Sequence, residues 1–305
     1  MALKASKTED LISSMPEDVV THILDRLPIQ DAVKTSILSR NWRFKWTMLS
    51  QLVFDDNFFD YLTKTNGENM FWRTISRLPL NQRMLLETMK IDLFSVGKGK
   101  LVLLAKLANL KILSLSLCHL DNMTITNSSS IFDLVRFFPK LQELDLDFAK
   151  CQFTEGGAEK RSLTTFPCLK TLKLSRIDLC NGIMLSCTFE LIRSFPNLHT
   201  LEITTTDLVY DPIPAVCSSD VDYNTTGLLQ LRSVDISPSR ASANEVCFIK
   251  YLLACSPFLK RIDLRPHWSL LSDEISWFAR RLLKLCRISP TAGIDLHLYE
   301  FKKST

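Results

Sequence analysis

Glycine is scarce, at 8 of 305 residues. No G-x-G-x-x-G, G-x-x-x-x-G-K-S/T or G-x-S-x-G can be assembled from them, which removes the usual phosphate-cradling loops and the nucleophile elbow. No uninterrupted apolar run approaches the ~18 residues of a membrane-spanning helix, so no membrane role is expected. The opening stretch MALKASKTEDLISSMPEDVV lacks an apolar core and carries Glu9 and Asp10, so it does not read as a secretory leader. On that reading the Asn-x-Ser/Thr triplets at Asn122, Asn127 and Asn224 are chance matches. An excess of one charge is also missing. The 37 Lys and Arg against 33 Asp and Glu leave a net +4, too little to imply nucleic acid or an anionic surface without a clustered patch. The nine cysteines are odd in number, scattered and without a C-x-x-C, and read as reduced, mostly buried thiols. None has finger-like spacing to a second Cys/His pair, so neither a metal nor another cofactor is expected. What the chain does have is 46% hydrophobic residues, enough for a sizeable core, and a length that suits about two domains. These features predict an intracellular protein, cytoplasmic or nuclear, with no catalytic apparatus of its own.

The first fifty residues read as a compact helical unit. Pro16 suits the first turn of a helix, where its missing N–H costs nothing, and Glu17 and Asp18 complement the positive end of the helix dipole. Val20, Ile23, Leu24 and Leu27 fall at i, i+3, i+4 and i+7, and Pro28 closes the stripe. Ile29, Ala32, Val33, Ser36 and Ile37 repeat that spacing. Leu38, Trp42 and Trp46 predict a third helix with two tryptophans one turn apart. Helices of about ten residues are marginal alone, and so small a unit cannot bury all of this apolar surface within itself. Part of it is therefore expected to face a partner. A helix-turn-helix DNA reader is the competing reading, because Arg40, Arg43 and Lys45 crowd the third pattern. Residues 1–50 hold seven basic and six acidic side chains, however, so the basic face of a DNA reader is missing and no nucleic-acid partner is expected.

The run Met15-Pro16-Glu17-Asp18-Val19-Val20, followed by Ile23-Leu24, Leu27-Pro28, Asp31-Ala32-Val33, Thr35-Ser36 and Leu38-Ser39-Arg40-x-Trp42-Arg43-x-x-Trp46, resembles the F-box. The Leu-Ser-Arg-x-Trp-Arg-x-x-Trp ending resembles the plant version in particular. Met15 departs from the usual Leu, a near-equal volume that should cost little. The resemblance implies docking onto a Skp-type adaptor, and through it onto the cullin and RING subunits of a ubiquitin ligase. It assigns the adaptor contact to Pro16, Val19, Ile23, Leu24, Leu27, Pro28, Val33, Ser36, Leu38, Trp42 and Trp46.

Further along, L-x-x-L-x-L recurs as Leu110/Leu113/Leu115, Leu141/Leu144/Leu146, Leu169/Leu172/Leu174 and Leu198/Leu201/Ile203, then as Leu231/Val234/Ile236 and Leu259/Ile262/Leu264. First positions are 31, 28, 29, 33 and 28 residues apart. Pro139, Pro167, Pro196 and Pro257 each precede a first leucine by two residues and should stop the preceding segment before the strand begins. This is leucine-rich-repeat spacing. Each copy predicts a short strand with its leucines in a shared core, and a helical or irregular return on the convex side. Ile131, Leu134, Val135 and Phe138, then Phe189, Ile192 and Phe195, have the spacing of such returns, and Phe137, Phe138, Phe166 and Phe195 read as core plugs.

The last third begins with a capping box, Ser242 to Glu245, before a helix carrying Val246, Ile249 and Leu253. A second helix carries Ile275, Phe278, Leu282 and Leu285. Ile294, Leu296 and Leu298 then alternate with polar residues as a terminal strand. The stretches from Leu231 to Ile236, from Phe248 to Ile262 and from Ile288 to Ala292 resemble the FBD region of plant F-box proteins. The expected fold is α/β: a three-helix F-box over 1–55, a linker or degenerate first repeats over 56–105, an irregular leucine-rich-repeat solenoid of parallel strands over 106–227, and an FBD-like α/β cap continuing it over 228–305. Residues 60–100 are weakly periodic, and Gly97-Lys98-Gly99-Lys100 reads as a turn.

Strand alternation places the residues between the leucines on the concave face. Glu143, Asp145 and Asp147 then form an acidic row with Lys173, Glu202, Asp235, Arg261 and Arg265 as neighbours, and these eight are the expected target-binding residues. Successive side chains on one strand face lie about 6–7 Å apart, long for a single cation, and no His or Cys accompanies the row in sequence, so no metal is assigned there. Arg280, Lys284 and Arg287 line the last helix near its C-terminal end, where cations complement the dipole. The function that follows is a substrate receptor of an SCF-type ubiquitin ligase, bringing an unidentified target beside the conjugating enzyme. The alternative is a scaffold that binds the adaptor without promoting target turnover.

Overall fold

The computed structural model describes residues 14–40, 42, 45–49, 51–54, 88–91, 109–118, 131–132, 135–150, 165–206 and 229–298. Nine strands form one sheet: β1 Gln51–Phe54, β2 Thr88–Ile91, β3 Ile112–Cys118, β4 Glu143–Lys150, β5 Thr171–Ile177, β6 Thr200–Thr205, β7 Ser233–Ser239, β8 Arg261–Pro266 and β9 Gly293–Leu296. Every pairing is parallel and joins sequence neighbours, so the sheet order is the chain order. The chain is thus mixed α/β around a parallel sheet.

The register explains the repeat. Leu113, Leu144, Leu172, Leu201, Val234 and Ile262 lie side by side across the strands, and Leu115, Leu146, Leu174, Ile203, Ile236 and Leu264 form the next row. All twelve are buried, as are the six leucines that open the copies. A one-residue slip would turn both rows to the other face, so the leucines fix the register. Four copies are preceded by proline, and in three of them a turn hydrogen bond is seen: Leu141 N donates to Phe138 O, Leu198 N to Phe195 O and Leu259 N to Ser256 O. The prolines therefore sit second in four-residue turns, where their fixed φ is already suitable.

The sheet begins earlier than the six copies predict. Leu52 pairs in register with Met89 and Phe54 with Ile91, and these continue to Leu113 and Leu115. Leu49, Leu52 and Phe54 keep the L-x-x-L-x-L spacing, and Leu86, Met89 and Ile91 keep it in degenerate form. Strand β1 thus falls within 1–55, and the segment 56–105 contributes β2.

Two short helices precede the sheet, α1 Glu17–Leu24 and α2 Ile29–Lys34. No third α-helix is seen among the described residues of this unit. Thr35–Ile37 and Lys45–Met48 are single 3-10 turns, closed by hydrogen bonds from Leu38 N to Thr35 O and from Leu49 N to Trp46 O. Thr35, Ser36 and Ser39 compete for backbone groups and the tryptophans restrict rotamers, so this stretch has little intrinsic drive to stay helical. α2 contacts β1 and joins the helices to the sheet.

On the return side, α3 Gly182–Ser194 begins earlier than its phenylalanines predict, because the Asn181 side chain accepts from Ile183 N and Met184 N. α4 Ala243–Cys255 carries the Ser242–Glu245 capping box, and α5 Ser272–Leu283 buries Phe278 and Leu282. Phe132 stacks on Phe166 at 6.0 Å, Phe195 lies tilted against Phe166 at 5.8 Å, and Phe189 lies 4.7 Å from Tyr251. These rings tie one repeat's return to the next.

One cysteine expectation is corrected. Cys247 is disulfide-bonded, a pairing that spacing in the sequence does not reveal. Cys187 and Cys255 are buried, whereas Cys168 and Cys286 are exposed. Among the described residues no helix is long and apolar enough to cross a membrane.

Candidate functional site: an apolar helical surface and a charged sheet face

Helix α1 has two apolar sides. Val20 and Leu24 point into the core, where they meet Ile29, Ala32, Trp42, Trp46 and Leu49. Met15, Val19, Ile23 and Leu27 recur at four-residue steps along the adjacent stripe, which runs from just before α1 to just after it, and stay exposed. Ile37 and Leu38 on the following turns add to the exposed apolar surface, Ile37 with 87% of its area in solvent. Lys45 forms an ion pair with Glu17 and braces the second 3-10 turn against α1.

Of the eleven residues the sequence assigned to the adaptor, Pro16, Val19, Ile23, Leu27, Pro28 and Leu38 are exposed, and Val33 and Ser36 are half-buried. Leu24, Trp42 and Trp46 are corrections. They are 1%, 4% and 5% exposed and fill the interior of the unit. Two indoles and a leucine are the volume this small core needs, so these three support the surface from behind. Ile37 was missed. It ends the second apolar pattern, and spacing alone does not say which end of such a pattern leaves the core.

The eight sheet residues do share a face. Ser114, Asp145, Lys173, Glu202, Asp235, Asp263 and Asp295 form one cross-strand row, and Glu143 and Arg261 stand in the row before it. The acidic side chains are not left open, however. Lys173 Nζ lies 2.9 Å from Glu143 Oε1 and 3.9 Å from Glu202 Oε2. Asp147 is bridged by Arg176, which adopts φ 60°. Ser114 donates to Asp145 at 2.9 Å, Arg265 pairs with Asp235 at 2.8 Å, and Arg261 lies 3.3 Å from Asp263. The face is a lattice of paired charges and not a single-sign patch. The Glu143 hydrogen bond, helped by the Glu202 and Asp145 charges, raises the Lys173 ammonium above its ordinary value against the opposing pull of burial. Among the described residues no group of three His, Cys, Asp or Glu is placed to hold a metal ion.

Residues 12–53 match the F-box domain family model. An F-box/FBD/LRR-repeat protein of Arabidopsis thaliana is 48% identical over 50 residues, 16% of this chain and 12% of the relative. A second from the same plant is 31% identical over 154 residues, 47% of this chain and 34% of the relative. A third is 24% identical over 287 residues, 92% of this chain and 59% of the relative. The chain thus spans less than two thirds of the length of each of these relatives. It carries an F-box domain at residues 12–53, and along most of its length it is similar to the F-box/FBD/LRR-repeat proteins of Arabidopsis thaliana.

Proposed function

We propose that this chain is the substrate-recognition subunit of an SCF-type ubiquitin ligase. Its F-box docks a Skp-type adaptor, and its repeat and FBD-like regions hold a target protein for ubiquitin transfer by the cullin and RING subunits. The chain itself is non-catalytic on this reading and acts by tethering, which makes the transfer effectively intramolecular. It works inside the cell, in cytoplasm or nucleus. The observation that carries the reading is the exposed stripe Met15, Val19, Ile23 and Leu27, beside Ile37 and Leu38, within the residues that match the F-box model. An apolar surface organised in this way costs free energy in water and is stabilised by a partner. Leu24, Trp42 and Trp46 hold that stripe in shape from within. The target's contact is assigned to the exposed sheet face around Glu143, Asp145, Asp147, Lys173, Glu202, Asp235, Arg261 and Arg265.

The test is capture of a recombinant Skp-type adaptor by the full chain. Ile23→Asp with Leu27→Asp should abolish capture, because each places a charge in a desolvated contact. Adaptor binding unchanged in that variant, with an unchanged thermal midpoint, removes the proposal. Target half-life in cells with and without proteasome inhibition separates a receptor from a non-degradative scaffold.

A further inference from the structure

The residue after the first leucine of each copy forms its own rung across the sheet. Gln142 N donates to Lys111 O, Lys170 N to Gln142 O, His199 N to Lys170 O and Arg232 N to His199 O, each at 2.8 Å, and Lys260 N donates to Arg232 O at 2.9 Å. Lys111, Gln142, Lys170, His199, Arg232 and Lys260 therefore stand in file at the leading edge of the strands. Four of the six are cationic whatever the pH of the cell, and none is acidic. Lys170, Arg232 and Lys260 are exposed, and among the described residues none of the three has a carboxylate within ion-pair distance. Their mutual influence is visible at His199, whose imidazole is pushed down from its ordinary value by burial first and then by the Arg232 and Lys170 charges.

At one end the rung opens into a cavity of about 490 Å³, lined by Lys111, Lys140, Lys170 and His199 together with Pro167 and Asn197. Its rim is pinned. Asn197 Nδ2 donates to Pro167 O at 2.9 Å, and Lys140 Nζ donates to Asn109 Oδ1 at 2.6 Å. Three lysines and a histidine thus line one concavity, and among the described residues no carboxylate lines it. The paired charges of the sheet face contrast sharply with this edge.

We propose that this leading edge is a docking surface for an acidic, Asp/Glu-rich extended segment of the target protein, one carboxylate of which enters the Lys111–Lys140–Lys170 cavity. Adjacent strands are about 4.8 Å apart, so the rung from Lys111 to Lys260 is about 24 Å long. An extended peptide rising about 3.3 Å per residue covers that with roughly seven residues, and its alternate side chains face the cations. Charge complementarity selects the occupant. Single-stranded nucleic acid is the less suitable polyanion, because among the described residues no Phe, Tyr or Trp lines the cavity to stack a base. This inference rests on the receptor reading, since it says which part of a target is held.

The test uses the full chain and a fluorescent twelve-residue peptide of alternating Glu and Ser, with its Gln counterpart as the neutral probe. The acidic peptide should bind and the neutral one should not, and raising salt from 0.1 to 0.3 M should weaken binding several-fold. Lys170→Glu with Arg232→Glu should weaken it at least tenfold at an unchanged thermal midpoint. Arg280→Glu with Lys284→Glu, the same charge change at the C-terminal end of α5, should weaken it less than twofold, and Lys170→Arg with Arg232→Lys should retain it. Equal binding of the neutral peptide, equal losses in the two charge-reversal variants, or tighter binding of oligo-dT of the same charge overturns the proposal. So does full displacement by millimolar inorganic phosphate, which would mark a small-anion site. Adaptor capture measured on the same samples keeps the two readings apart: peptide failure with adaptor bound sinks only this inference, and adaptor failure with peptide bound sinks only the receptor assignment.

Discussion

Lys173 stands between two carboxylates, with its Nζ 2.9 Å from Glu143 Oε1 on the preceding strand and 3.9 Å from Glu202 on the following one. A single ammonium thereby holds together three strands of like-signed neighbours, since Asp145 lies beside it in the same cross-strand row. Like charges placed opposite each other across strands are destabilising.

Replacing Lys173 with Met keeps the aliphatic stem and removes the charge. The expected result is a loss of roughly 0.5–1 kcal/mol, the size of partly exposed ion pairs, that is larger at low salt. Chemical denaturation at two ionic strengths measures it. The same pairing means that Glu143→Lys with Asp145→Lys sets cations against Lys173, so a reversal of the acidic row disturbs the sheet as well as any target contact. Equal stability of Lys173→Met and the parent at 20 mM salt contradicts the lattice of paired charges.

The helical unit predicts a division between core and surface. Trp42→Ala empties a site where the side chain is buried and should cost about 3–5 kcal/mol, enough to loosen the whole unit. Ile37→Asp alters a side chain already in solvent and should shift stability by about 0.5 kcal/mol or less. The second variant should nevertheless lower adaptor capture, and the first should lower it only through unfolding, seen as a lost near-ultraviolet tryptophan signal. Full capture by Ile37→Asp would put the adaptor surface elsewhere on the unit.

Much of the sheet was legible because its signal repeats. Six copies with buried leucines at the same offsets define strands, register and inward face together, and the capping box at Ser242 marked α4 correctly. Strands β1 and β2 were harder, since Phe54, Met89 and Ile91 replace leucines and the copies they belong to are irregularly spaced. The helical unit was legible in its motif but not in its inside and outside. Val19, Val20, Ile23 and Leu24 form two adjacent stripes, and hydrophobic spacing gives no reason to prefer one for the core. The charge pairing on the sheet face was out of reach for another reason. It depends on which residues of different copies face each other, a property of register that Glu143, Lys173 and Glu202 do not display until the strands are aligned.

Glu245 joins the start of α4 to the end of β7. Its carboxylate accepts from Ser239 Oγ at 2.9 Å, Arg240 N at 3.0 Å and Ser242 N at 3.2 Å, and it is buried. Burial raises its pKa above the ordinary carboxylate value, and the hydrogen bonds oppose that rise. Glu245→Ala leaves three donors without an acceptor and should cost about 1–3 kcal/mol. The pH dependence has a definite sign. A carboxyl with a raised folded pKa contributes most below its unfolded value, and part of that contribution is lost as pH climbs through the folded value. The deficit of Glu245→Ala should therefore be larger near pH 4.5 than near pH 7. A deficit that grows with pH contradicts the assigned shift.

His199 offers a spectroscopic reading of the basic rung. Burial is the larger cause of its lowered pKa, and the Arg232 and Lys170 charges add to it. The imidazole should therefore titrate below the 6.5 of an unperturbed histidine, followed by the carbon-bound proton shifts in NMR. Arg232→Gln removes one of the two charges and should move the midpoint upward, though not to the unperturbed value, because the burial remains. A histidine held neutral by the fold contributes stability above the unfolded pKa and loses it as pH falls, since the unfolded chain takes up the proton first. The thermal midpoint should accordingly drop as pH is lowered past 6.5, and less so in His199→Gln. Addition of the acidic peptide should raise the His199 midpoint, because a carboxylate brought to the rung offsets the same cations that depress it. A midpoint that is already unperturbed in the free protein, and insensitive to Arg232→Gln, would mean that the rung's cations do not converge on His199.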